Sequence, residues 1–396
     1  MRPGPNGAAD VGPGMPTPPR YGTADVGLLV PDAVRALTGR EPTVLPLPEG
    51  LHAVVVLVVD GLGRRLLDRH AEVAPFLSAV SGLTLDAPFP STTATSLATI
   101  GTGLAPGEHG VTGYSVAVAG DDRPLIVLTW SWDRHADGPD AREDVVPERW
   151  QPSPTAFERA TGAGVHPVTV LRPEFVASGL TRAGLRGGRI VPATGLHETL
   201  EAAMRATAPP GPTVVYAHHG DLDAIGHLTG PASDAWLTEL ARIDRFCARA
   251  AEKIPPGVGL VVTADHGMVE VPDEHLVELA DRADLLEGVR VLTGDFRARQ
   301  LHALPGAADE VLAAWDEACG PLAHVVTRQD AIAAGWFGPR VTDEIRARIG
   351  DVVVSARVPQ IGWVHRDRDL FGGRVPGMHG ALTPEEIEVP ALVITR

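Results

Sequence analysis

The stretch "VVTADHGM", residues 261–268, decides how this chain is read. Its valines and threonine favour an extended backbone. The run halts at the adjacent Asp265 and His266, followed by glycine. Asp and Gly are ordinary turn residues, so taken alone the stretch fits a turn that closes a strand. Two side chains able to hold a cation at the end of a buried strand raise the question of where the other strands end.

Four more runs share its pattern: "AVVVLVVDG" (53–61), "HPVTVLR" (166–172), "PTVVYAHH" (212–219) and the closing "PALVITR" (390–396). Near-continuous apolar runs of this length fit strands buried on both faces. "LTLDAPF" (83–89) is a further strand-like run. Helical patterns lie between them, most plainly "SDAWLTELARIDRFCARAAEKI" (233–254). There Trp236, Leu240, Ile243, Cys247, Ala250 and Ile254 recur at spacings of three and four, and Ser233 is placed to cap the first turn. Alternating strands and helices predict an α/β fold with a mostly parallel central sheet and helices on both faces.

Residues 271–375 read differently. "ARQLHAL" (298–304), "AADEVLAAWDEACG" (307–320), "AHVVTR" (323–328) and "GDVVVSAR" (350–357) suggest a small α+β cap inserted before the last core strand. The expected organisation is a disordered tail over 1–22, a catalytic core over 23–270, the inserted cap over 271–375, and a return to the core over 376–396.

Composition excludes several classes. A formal charge of −16 argues against a protein that works by neutralising nucleic-acid phosphates. Only Cys247 and Cys319 are present, which speaks against a disulfide framework and for a reducing, cytoplasmic setting. No apolar run approaches the ~18 residues that span a bilayer. The Pro- and Gly-rich N-terminus has no apolar core of a signal peptide, and Met15 is an alternative start. The oligomeric state is not legible.

Open α/β sheets bind ligands at the carboxyl ends of their strands. The first apolar run ends at Asp60, the run from Pro212 leads into "DAIGH" with Asp223 and His227, and the run from Val258 ends at Asp265 and His266. His379 stands shortly before the last strand. Each is compatible with a turn, a helix start or an ordinary histidine. Their recurrence at one sheet edge is what turns suggest least and a cation site suggests most, since carboxylate and imidazole suit Zn²⁺, and carboxylates also Mn²⁺ or Mg²⁺. "PSTTATSLATIGTGLAPGEHG" (90–110) adds a run of hydroxyl residues where a helix begins near Thr93. Hydroxyls there can cap and pack the helix. They also lie where backbone N–H groups and the helix dipole favour an anion.

With these residues in order, the chain resembles the alkaline phosphatase superfamily, and within it the type I phosphodiesterase/nucleotide pyrophosphatase family. The likeness covers about 50–270 and 375–396. "VVDGLG" carries the first-strand aspartate at Asp60; "FPSTT" puts Thr93 at the nucleophile position; "TGLAPGEHG" (102–110) follows as the family pattern does. "DAIGH" matches D-x-x-G-H at Asp223 and His227, "TADHGM" the Asp-His pair at Asp265 and His266, and "GMHG" the last histidine at His379. The resemblance implies two divalent cations, Zn²⁺ before Mn²⁺ or Mg²⁺. Asp60, Asp265, His266 and Thr93 would hold one, and Asp223, His227 and His379 the other. It also implies a phosphothreonine intermediate and a small phosphate-ester substrate. Two family features are missing. Thr92 stands where a lysine is frequent, and Thr112, Gly113 and Tyr114 stand where an asparagine helps hold the phosphate. Tyr114 is the candidate substitute. Trp130, Trp132, Trp150 and Phe175 are read chiefly as core, with a pocket role as the alternative. His218 and His219 are extra imidazoles near the site, not chosen as ligands.

The expected function is hydrolysis of a phosphodiester or pyrophosphate bond. A phosphomonoesterase or phosphonate hydrolase with the same metals is the alternative within the superfamily, and a non-catalytic phospholigand-binding protein the alternative of another class.

Overall fold

The computed structural model describes residues 14–132, 138–367, 369 and 375–396. Its central layer is a seven-stranded sheet in the order Gly82–Asp86, Glu388–Ile394, Val258–Thr263, Ala53–Val59, Thr213–His219, His166–Leu171, Arg189–Pro192. The Ala53–Val59 strand is buried along its whole length, as a Val-rich run flanked by two parallel neighbours must be. Val55 sits in register with Val215 on one side and Leu260 on the other. The Asp234–Lys253 helix buries Trp236, Leu240, Ile243 and Cys247, with the Ser233 hydroxyl accepting from the Trp236 amide.

The α/β expectation holds, with one refinement. The closing strand, Glu388–Ile394, runs antiparallel to both Val258–Thr263 and Gly82–Asp86, so the sheet is mixed. The reason is directional. Asp60 and Asp265 follow their strands, whereas His379 precedes its own. A chain that meets the carboxyl edge before entering its strand must run back down the sheet.

A second sheet of six strands is antiparallel throughout, in the order Ala323–Thr327, Val352–Ala356, Ala298–Ala303, Val289–Asp295, Ser115–Val116, Leu125–Ile126. The Ala308–Cys319 helix contributes Val311, Trp315 and Cys319 to the apolar cluster it shares with Leu292, Leu301, Val352 and Val354. Four of the six strands and the helix lie within 271–375, where the sequence suggests an α+β cap, and the other two strands come from 115–126. Where the chain leaves and rejoins the core, Val269–Glu270 pairs with Gly377–Met378. That short pairing brings the Asp265–His266 and His379 segments side by side.

Of the tail expected over 1–22, residues 1–13 lie outside the described residues. The rest is tied down: Arg20 pairs with Asp86 at 2.7 Å, and the Tyr21 hydroxyl donates to Trp336 O at 2.7 Å and accepts from the Phe89 amide at 2.9 Å. Among the described residues, no helix is long and apolar enough to cross a membrane. Cys247 and Cys319 are buried free thiols.

Candidate metal centre

The carboxyl edge of the central sheet gathers the expected residues from five separate segments. Asp60 directly follows its strand, its amide donating to His219 O. Gly61 then turns at φ +75°, and a Cβ there would stand 3.1 Å from Asp223 Cβ, so glycine lets the two acidic segments approach. Asp265 and His266 end Val258–Thr263. At Gly267 a Cβ would meet Glu385 O at 2.0 Å, which explains the glycine after the Asp-His pair. Asp223 and His227 lie four apart on the Asp221–Thr229 helix, one above the other, with 3.3 Å between His227 Nε2 and Asp223 Oδ2.

Thr93 opens the Thr93–Thr102 helix, which is buried from Ala94 onward. Thr93 Oγ1 is 3.1 Å from His266 Nε2. The segment before it is stitched to the His379 loop: Ser91 N donates to Gly380 O, Ser91 Oγ to Ala381 O, and His379 Nδ1 to Ser91 O. Two motifs far apart in the chain are thus one structural unit.

The imidazoles share a single arrangement. Nδ1–H of His227 donates to Gly377 O at 2.8 Å, that of His266 to Gly267 O at 3.0 Å, and that of His379 to Ser91 O at 2.9 Å. Each Nε2 lone pair is therefore turned into the site, the orientation that a backbone carbonyl imposes on a metal-binding histidine. His227 Nε2 and His379 Nε2 face one another at 3.2 Å. The His266 and His379 rings stack with centroids 3.7 Å apart.

Charge is arranged to match. Buried oxygens Asp60 Oδ1, Asp223 Oδ1 and Asp265 Oδ2 have no hydrogen-bond partner. Burial, with Asp265 and Asp223 nearby, holds the Asp60 carboxyl well above the usual carboxylate range. Burial also acts to raise Asp223, but His227, His379, His266 and His218 outweigh it and hold that group low. Burial pushes His379 and His218 down to about 4, so both are neutral at pH 7. Orphaned carboxylate oxygens facing neutral imidazole lone pairs in a buried edge fit divalent cations, since such oxygens are costly to bury without a partner.

All seven expected positions are brought together, and one more joins them. His218 Nε2 lies 3.1 Å from Asp60 Oδ2, and its donor atom clusters with those of Asp60 and Asp265 within 4.8 Å. A second such triad is Asp223, His266 and His379. These triads cut across the two ligand sets implied by the resemblance, because His266 stands between them. The signal for His218 was its place at the end of the strand beside Asp60. The neighbouring His219 points the other way, to Glu239 Oε1 at 2.8 Å, in a network closed by Arg242.

Other candidates resolve differently. His109 in "TGLAPGEHG" is buried behind the helix, with Nε2 2.9 Å from Thr99 Oγ1 and Nδ1 accepting from the Val111 amide. Trp130 and Trp132 are core residues whose indoles donate to Val145 O and Asp144, and Trp150 lies under the Arg348 guanidinium at 3.6 Å. Phe175 lines a cavity next to Thr93. Tyr114 lies outside that cavity's lining, at the start of the second sheet. Its hydroxyl is buried without a partner, and burial followed by Asp295 and Asp369 pushes its pKa up.

Residues 54–381 match the type I phosphodiesterase/nucleotide pyrophosphatase family. No curated protein matches the chain. Among solved structures, murine ectonucleotide pyrophosphatase/phosphodiesterase 5 superposes with a TM-score of 0.65 at 16% identity, covering 87% of this chain and 88% of that one. An inactive form of that enzyme in complex with AMP gives 0.64 at 15%, covering 85% and 87%. Phosphonoacetate hydrolase from Sinorhizobium meliloti 1021, in complex with phosphonoacetate, gives 0.65 at 17%, covering 88% and 91%. At such identities the likeness is one of fold, and it bears out the alkaline phosphatase-like architecture. The family match, together with these neighbours, supports a phosphoester hydrolase. The chain belongs to the type I phosphodiesterase/nucleotide pyrophosphatase family.

Proposed function

We propose that this protein hydrolyses a phosphodiester or pyrophosphate bond with the help of two divalent cations, through a phosphothreonine at Thr93. The observation that carries the proposal is the set of buried, unpaired carboxylate oxygens facing inward-turned imidazole Nε2 atoms beside Thr93 Oγ1. Asp60, Asp265, His266 and Thr93 are assigned to one cation and Asp223, His227 and His379 to the other, with His218 holding Asp60 in place. The mixed N/O donor set favours Zn²⁺, with Mn²⁺ and Mg²⁺ as alternatives. Bound there, the cations supply the charge that makes a hydroxyl oxygen nucleophilic at neutral pH and that offsets charge on the phosphoryl group.

The chain's own residues set the geometry. Because His266 Nδ1–H is committed to Gly267 O, its Nε2 lone pair is turned toward Thr93 Oγ1, 3.1 Å away, and both atoms would be held by the same cation. Thr93 Oγ1 gives up its proton to solvent and attacks phosphorus, a new O–P bond forms, and the bond to the departing oxygen breaks with its electron pair, that oxygen taking a proton from solvent. The amides at the start of the Thr93–Thr102 helix face the phosphoryl oxygens and stabilise the charge that gathers there. Water then attacks the phosphothreonine from the opposite side, breaks the Thr93–phosphorus bond and restores the hydroxyl. Tyr114, with its unpaired hydroxyl at the edge of the second sheet, is assigned as a donor to the substrate. On this reading the second sheet is the cap that shapes access.

The test is a panel of bis(p-nitrophenyl) phosphate, p-nitrophenyl phosphate and the p-nitrophenyl ester of thymidine monophosphate, with wild type and Thr93→Ala. Diester turnover that disappears in Thr93→Ala, with metal content retained, is the expected result. A phosphoryl adduct on Thr93 in quenched, digested enzyme supports the intermediate. Preference for the monoester would favour the phosphomonoesterase alternative, and full activity of Thr93→Ala would remove the mechanism.

A further inference from the structure

Between the Gly82–Asp86 strand and the Thr93–Thr102 helix, residues 87–92 approach the nucleophile with neither helix nor strand to fix them. Pro88 and Pro90 have no N–H, so Ala87, Phe89, Ser91 and Thr92 are the backbone donors of this segment. Thr92 bonds locally, to Pro90 O at 2.9 Å. Ala87 and Ser91 are held from the side of His379, by Ile387 O at 2.7 Å and Gly380 O at 3.1 Å. The middle donor, the Phe89 amide, goes to the Tyr21 hydroxyl at 2.9 Å. That hydroxyl is aimed, because its proton is given to Trp336 O at 2.7 Å and a lone pair is left facing Phe89. The Trp336 ring meets the Phe89 ring edge-on, with centroids 5.1 Å apart. Tyr21 is fixed by its neighbours in turn. The Arg20 amide and Nε donate to Asp86 Oδ2 at 2.8 and 2.9 Å, and the Asp86 amide donates to Ala24 O at 2.9 Å. Residues 20–24 all precede the stretch that matches the family, 54–381.

We propose that Tyr21 is a positioning residue for Thr93: its hydroxyl pins the middle of the approach segment, and residues 20–24 complete the nucleophile's support from outside the family-matched stretch. The inference rests on Thr93 as the nucleophile. A segment with two prolines cannot hold itself by its own backbone bonds, so outside partners decide where it delivers the first residue of the helix. The His379 loop holds its two ends, and Tyr21 holds its middle. Phe89 and Trp336 are fully buried. Replacing Tyr21 by phenylalanine keeps the ring and removes one oxygen, which leaves the Phe89 amide and the Trp336 carbonyl without that partner in a dry interior. The segment shifts to pair them again and carries Thr93 Oγ1 off the line of attack. A misplacement of about 1 Å can cost ~10²-fold in rate.

The experiment uses the zinc-loaded full chain as wild type, Tyr21→Phe, Arg20→Gln and Asp32→Asn. It measures steady-state rates on bis(p-nitrophenyl) phosphate, zinc content, and amide hydrogen exchange of peptides spanning 86–93. Arg20→Gln loosens the same tether from a half-exposed position, and it decides by the same readouts should Tyr21→Phe not fold. Asp32→Asn is the control for general destabilisation, since the buried Asp32 carboxylate accepts from the Thr43, Val44 and Leu45 amides and from no site residue. Tyr21→Phe should lower kcat about tenfold or more, with KM and zinc content near wild type and faster exchange over 86–93. Arg20→Gln should do the same more weakly. Asp32→Asn should lower the urea midpoint and keep kcat. Unchanged kcat or unchanged exchange in the tether variants, or an equal fall of kcat in Asp32→Asn, would overturn the proposal. If wild type turns over no ester while exchange over 86–93 still quickens in Tyr21→Phe, the hydrolase reading falls and the tether stands.

Discussion

Arg297 and Glu386 form the contact through which the second sheet grips the loop that carries His379, and replacing Arg297 with methionine tests it. Both side chains are fully buried. The guanidinium meets the carboxylate at two points, Nε to Oε1 at 2.8 Å and Nη2 to Oε2 at 2.9 Å, and donates to the carbonyls of Pro359, Ile361 and Val358. Glu386 in turn accepts from the Ala381 amide, two residues after His379, and from the Thr383 hydroxyl. Removing the cation leaves a carboxylate in a dry interior and three carbonyls short of a donor. Breaking one partner of a buried pair costs ~3–5 kcal/mol. Urea unfolding should show Arg297→Met that much less stable, with weaker cation binding because Ala381, and with it His379, loses its anchor. The double variant Arg297→Met/Glu386→Leu should recover part of the loss, since no buried charge is then unpaired. A single variant within about 1 kcal/mol of wild type, the value typical of exposed pairs, would refute the reasoning.

Thr93→Ala should lower kcat by about 10⁴-fold or more, as nucleophile removal does elsewhere, while Thr93→Ser keeps part of the activity; steady-state rates on a phosphodiester decide this. His227→Ala should lose close to one metal per chain by elemental analysis, because its Nε2 meets both Asp223 and His379. His109 gives a pH effect. Burial first, and then Arg348, hold its pKa down to about 3, below an ordinary 6.5. The folded state keeps it neutral while the unfolded chain takes up a proton. Its contribution to stability is therefore complete above about pH 6.5 and declines toward pH 3. Urea midpoints between those limits should fall more steeply in wild type than in His109→Gln, and parallel slopes would contradict this.

Most of the site was legible because each candidate follows or precedes a strong apolar run, and such runs mark strands without reference to tertiary contacts. The same logic, carried one step further, gives the antiparallel last strand, since His379 stands before its strand and Asp60 and Asp265 after theirs. His218 was harder. Period-two alternation says that one of His218 and His219 faces Asp60, but only the register against Ala53–Val59 tells which. The second sheet hid its own extent for a similar reason. Ser115–Val116 and Leu125–Ile126 are two residues each, too short for a pattern; the first pairs with Val289–Asp295 and the second with the first. Tyr21 sits in a Pro- and Gly-rich segment, and nothing local announces its bonds to Phe89 and Trp336. The cavity beside Thr93 was invisible in sequence, because Leu97, Leu128, Leu171, Leu180 and Leu185 read as core until the backbone shows that they border an opening.

The central claim is that cations bind between these particular side chains and beside Thr93. Anomalous diffraction from crystals grown with zinc tests it most directly. The account predicts two peaks, one among Asp60, Asp265 and His266 near Thr93 Oγ1, the other among Asp223, His227 and His379. Zinc bound only elsewhere on the chain, with those carboxylates and imidazoles bare, would contradict it.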